Sequence, residues 1–192
     1  MAKQVHIRLD DTVYEALAPL GEDYRAVLKE AFENRWIDVY ENKGKRSGAY
    51  EIAAYGYHPF VLLNYDEKLD DMFTLIHEMG HAIHSYLSNL HQSGIYSDYV
   101  IFVAEVASTF NESLLTDYLL KTTVDKKQKA YIINHFLEQF KGTLFRQTMF
   151  AEFELFINEK CEAGETLTAD LLTDFYYKLN KKYYGEEIIC DE

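Results

Sequence analysis

The feature that most constrains this chain is the run from Thr74 to His84, which sets His77, Glu78, His81 and His84 inside an otherwise apolar, helix-compatible stretch. On an α-helix, residues four apart share a face, so His77 and His81 can each turn a ring nitrogen toward one ion. Glu78 lies about 100° further round the helix, within reach of a water beside that ion. Gly80 fits the same picture: Gly inside a helix costs about 1 kcal/mol relative to Ala, and suits a place where another backbone comes close.

The order His-Glu-x-x-His supplies two zinc ligands and a general base, the core of a zinc peptidase. A helix with three half-exposed histidines would need no metal, so the third ligand decides between the two readings. A third His in the spacing His-x-x-Gly-x-x-His is excluded, because His84 stands where that pattern has Gly and Leu87 where it has His. His84 shares the face of His77 and His81 but is nearly two turns from His77, which suits a groove wall better than a ligand. Glu105 is the best third ligand. It stands among Val103, Ala104, Val106 and Ala107, where a buried carboxylate needs a partner such as a metal ion. Glu112, one heptad on, is the fallback ligand or a partner that orients one. Asp98 is a weaker candidate near the expected helix start. With His77, His81 and Glu105 holding the ion, Glu78 takes the proton of the attacking water and passes it to the leaving amine.

The 192 residues suit one domain spanning 1–192 with a sizeable core. A net charge of −13 argues against nucleic acid and anionic membranes as partners. No apolar run approaches a membrane span, and the N-terminus has no apolar leader-like segment. Cys161 and Cys190 share no metal-ligand spacing and read as free thiols of a reducing, cytoplasmic setting.

Helical periodicity and punctuation predict helices over 10–18 and 22–36, separated by a turn at Pro19 to Gly21. Residues 49–55 and 60–65 read as two strands around Gly56 to Pro59. A long helix from Leu69 to about Leu90 carries the metal motif, capped by Asp70 or Asp71. Others are expected over 98–120, from the Asp125 cap through Glu159, and from Thr168 to Gly185. The fold class is mainly α with one small β-hairpin or ribbon.

The stretches Phe73–Ser85, Phe102–Glu112, Asp38–Tyr50, His58–Tyr65 and Phe145–Glu154 closely resemble oligoendopeptidase F, within the wider thimet-oligopeptidase family. The resemblance runs over nearly the whole chain beyond about residue 8. It implies a zincin-like helical catalytic core that binds Zn2+ through His77, His81 and Glu105, with Glu78 as base and short peptides as substrates. It also implies that Gly48, Ala49 and Tyr50 lead into an edge strand that pairs with peptide backbone, and that His84 is a further motif histidine near substrate. The chain departs from the family in length, lacking the large N-terminal helical region and a C-terminal His- and Tyr-rich segment whose donors assist the transition state. Weak activity of the isolated chain is therefore expected. Its own Tyr55, Tyr57, Tyr176, Tyr183 and Tyr184, or a second chain, are candidate replacements for those donors. Exposed apolar surface left by the missing regions predicts a homo-oligomer. The competing expectation is a zinc-binding helical fragment or interaction module without activity.

Overall fold

The computed structural model describes residues 8–189. Its elements run α1 (Arg8–Ala16), α2 (Glu22–Glu33), β1 (Ile37–Asp38), β2 (Tyr50–Ile52), β3 (Phe60–Leu62), α3 (Leu69–His91), α4 (Ile101–Thr122), α5 (Lys126–Phe140), α6 (Arg146–Glu162) and α7 (Ala169–Tyr184). Helix dominates and one small sheet is present, as the patterning and the resemblance implied. The described residues gather into two compact units, divided between Val124 and Asp125.

The first unit is built on a core of Val13, Leu17, Leu28, Trp36, Val61, Ile76, Met79, Ile83 and Leu115. These residues draw α1, α2, the sheet, α3 and α4 together. The sheet order is β1-β3-β2. β2 and β3 form the expected hairpin, antiparallel with Tyr50 opposite Leu62 and Ile52 opposite Phe60. β1 pairs parallel to β3 and has no counterpart in the sequence reading; two residues are too few to show an alternation. Its place comes from Trp36, 1% exposed and stacked on His58 with ring centroids 5.3 Å apart.

Several boundaries differ from expectation: α2 ends at Glu33 instead of 36, and β2 and β3 stop at Ile52 and Leu62, three residues short of the strands expected to end at 55 and 65. α3 starts at Leu69, but Lys68 is its N-cap. Asp71 works from inside the helix, accepting from the amides of Lys68 (3.0 Å) and Asp66 (2.9 Å). α4 starts at Ile101, three residues beyond the expected start, and the Asp98 carboxylate accepts from the Tyr99 amide in the preceding segment.

In the second unit the predicted caps are present: Asp125 accepts from the Gln128 amide and Thr168 from that of Leu171. The run expected as one helix from Asp125 is interrupted by a π-helical turn at Lys141–Phe145, after which α6 continues to Glu162. α6 packs on α7 through the Phe156–Phe175 stack, centroids 3.8 Å apart. Cys161 is an exposed free thiol, while Cys190 lies outside the described residues. No helix among the described residues is long and apolar enough to cross a membrane.

Candidate metal centre

α3 presents His77 and His81 on one face, with the two Nε2 atoms 3.1 Å apart and the rings edge to face at 84°. α4 lies against that face because neither helix carries bulk at the crossing. A Cβ on Gly80 would sit 2.6 Å from the Ser108 Cα and 3.0 Å from the Ala107 carbonyl oxygen, so only Gly fits. This close approach brings Glu105 to the histidines: its Oε2 is 3.4 Å from His77 Nε2 and 3.7 Å from His81 Nε2. The three donor atoms all lie within 4.8 Å of one another, close enough to hold one metal ion between them.

Glu105 is not the buried carboxylate that its apolar neighbours in sequence suggest. Its side chain is 55% exposed, because the neighbouring Phe102 and Val106 also face outward. What singles it out is the helix crossing. Ser108, one turn on, donates to its Oε2 at 3.0 Å and so orients the carboxylate. Glu112 lies behind the cluster, 14% exposed, with Oε1 on His77 Nδ1. That contact turns Nε2 toward Glu105. Asp98 is not in the group of three.

The electrostatics follow from burial beside acids. Burial alone would push His77 down, but Glu112, Glu78 and Glu105 outweigh it and hold its pKa above the ordinary value. His81 is lowered by burial and by His77, which keeps its ring neutral at neutral pH. Glu78 is 8% exposed. Burial pushes its carboxyl up, Glu51 and Glu105 add to this, and His77 opposes it.

The residues expected to meet substrate lie in the segment entering β2, on β2 itself and on α3. Gly48 adopts φ +87°, and its carbonyl accepts from Asn64 Nδ2 at 2.8 Å. Ala49 packs against the core, and Tyr50 opens β2 with its ring 44% exposed. β2 is an edge strand of the sheet and packs on α3. His84 stacks on Tyr99, centroids 3.8 Å apart at 14°, and burial lowers its pKa. Of the candidate tyrosine donors, Tyr55 gives its hydroxyl hydrogen to the Gln92 carbonyl and Tyr183 to Glu152. Sequence reasoning passed over Ser108, Glu51, Ser85 and Tyr99. Gly80 signalled a close backbone approach, and the small residues Ala107 and Ser108 were the signal of where on α4 it falls.

The sequence profile of Peptidase family M3 matches residues 5–192. The chain belongs to peptidase family M3. Within M3 it is 57% identical over 182 residues to the oligopeptidase PepF of Bacillus subtilis, covering 95% of this chain and 27% of that protein. Among solved structures, one from Chlamydophila abortus is similar with a TM-score of 0.77 and 44% identity, over 95% of this chain and 31% of the other. The oligoendopeptidase-F of Enterococcus faecium gives a TM-score of 0.60 at 38% identity, over 98% of this chain and 26% of the other. The chain thus spans about a quarter to a third of the length of the M3 relatives it matches.

Proposed function

We propose that the chain carries the metal centre of a zinc-dependent oligopeptidase. In this reading His77, His81 and Glu105 are the ligands, Glu78 is the general base, and short peptides are the substrates. The observation that carries it is the convergence of two imidazole nitrogens and one carboxylate oxygen from α3 and α4. Their separations of 3.1, 3.4 and 3.7 Å suit one ion, since ligands about 2.0–2.1 Å from a tetrahedral zinc lie about 3.3 Å from one another. Two His and one carboxylate are also the donor set of zinc peptidases with an open fourth position. The name of the relative PepF, an oligopeptidase, supports the substrate class.

Zinc at such a site acidifies water and polarises a carbonyl. The chain's own groups do the rest. Glu78 takes a proton from the attacking water on a carboxylate oxygen and returns it to the leaving amine nitrogen. Its raised pKa brings it toward the range where it can do both. Glu112 holds the His77 tautomer through Nδ1. The free edge of β2, entered through Gly48 and Ala49, takes the peptide backbone as an added strand beside Tyr50, and His84 lines the groove. The free thiol of Cys161 fits a reducing cytoplasm.

The test is hydrolysis of a quenched mixed-peptide library by the zinc-loaded chain, with Glu78→Gln as control. Turnover by the wild type and none by E78Q supports the reading. Zinc retention with no turnover in either leaves a metal-holding helical module that does not cut peptides.

A further inference from the structure

The segment 92–100 between α3 and α4 is tied down at several points. Ser88 Oγ donates to the Ser97 carbonyl at 2.5 Å, and the Tyr55 hydroxyl donates to the Gln92 carbonyl at 3.1 Å. Tyr55 comes from the sheet, just past β2, and its ring lies so close to Gly94 that a Cβ there would be 3.2 Å away. Nearest the metal cluster the tie is Tyr99. Its ring covers His84, and its hydroxyl meets Ser85 Oγ at 2.7 Å. Ser85 is 6% exposed, so its hydroxyl must find its partners inside the protein.

The next group in line is Glu51 of β2. The β2 alternation turns Tyr50 and Ile52 outward and leaves Glu51 half-buried, with its carboxyl beside the Ser85 hydroxyl. Its Oε1 is buried and has no hydrogen-bond partner. With one oxygen of this half-buried carboxyl unpartnered, the Ser85 hydroxyl is the polar contact that links the Glu51 side chain to α3. Tyr99, Ser85 and Glu51 therefore form a polar line across three elements: the segment leading into α4, the helix bearing His77 and His81, and the edge strand.

We propose that Tyr99 is a positioning residue for peptide binding: by its stack on His84 and its hydroxyl on Ser85 it fixes where the free edge of β2 lies against α3. The role rests on the reading of β2 as the peptide-pairing edge. It concerns the strand and not the metal. Loss of the hydroxyl loosens β2 and residues 92–100, while His77, His81 and Glu105 keep their places through the Gly80 crossing.

Tyr99→Phe keeps the ring and removes only the hydroxyl. Two readouts separate the cases: hydrogen exchange of the amides of 50–52 and 92–100, and affinity of the zinc-loaded E78Q chain for a fluorescent peptide, with zinc affinity titrated separately. The expected result is faster exchange in both segments and roughly three- to tenfold weaker peptide binding, the scale of one buried hydrogen bond. Zinc affinity stays within about twofold, because the hydroxyl bonds Ser85 and none of His77, His81 and Glu105. Unchanged exchange overturns the tie itself. Faster exchange with unchanged peptide affinity overturns its role in binding, and parallel loss of zinc and peptide affinity assigns Tyr99 to the metal centre instead. If E78Q binds zinc but no peptide, the peptide-edge reading fails, and with it the role of Tyr99.

Discussion

Glu112 and Glu105 stand one heptad apart on α4 and meet opposite sides of His77. Glu105 Oε2 faces Nε2 in the cluster, and Glu112 Oε1 faces Nδ1 behind it. Removing a group that orients a ligand weakens metal binding without abolishing it, so Glu112→Ala should lower zinc affinity about 10–100-fold, as read by chelator competition. Abolition by E112A would instead make Glu112 a ligand. The same pair sets the pH dependence. A protonated imidazole cannot ligate, and the surrounding acids hold the His77 pKa above its ordinary value in the metal-free chain. Zinc affinity should therefore fall as pH falls, starting above the ordinary His pKa of about 6.5. In E112A the largest opposing acid is gone, burial gains the upper hand, and the fall should move to lower pH. An unshifted pH profile in E112A would contradict this account of His77.

At the scale of the element, the site depends on how closely α3 and α4 cross. Gly80→Ala gains helix propensity but drives a methyl into the Ser108 backbone. Backbone cannot swing aside as a side chain can, so the helices must part. An overpacking cost of about 1–3 kcal/mol in unfolding free energy is expected, together with weaker zinc binding as Glu105 moves off. Denaturant titration and zinc titration of G80A check the two effects; stability and affinity both at wild-type level would show that the crossing is looser than described. The sequence made α3 legible because its histidines, its glycine and its apolar residues all obey one helical period. It made Glu105 legible as a residue but for a mistaken reason, since a lone acid among Val and Ala looks buried when the apolar neighbours in fact face outward. β1 was hidden by its length, and Tyr99 and Ser85 were hidden because their pairing depends on the path of residues 92–100, which no local pattern encodes.

For the whole molecule, α4 carries apolar residues all round, and only one side is covered by α3. Ile101 is 83% exposed, Phe102 84%, Val106 59% and Phe110 54%. Exposed apolar stripes of this kind promote association, so the isolated chain should form dimers or larger species in sedimentation at micromolar concentration, and the double change Phe102→Ser, Val106→Ser should reduce them. A wild-type chain that sediments as a monomer would contradict that expectation. The central claim concerns the ion, and it is tested most directly by metal analysis of the chain after reconstitution with zinc and removal of excess. The account predicts about one zinc per chain in the wild type, the single site that one three-ligand cluster forms, retained by E78Q and lost in His77→Ala, His81→Ala and Glu105→Ala. A wild-type chain with no zinc, or an E105A chain that keeps its zinc, would contradict it.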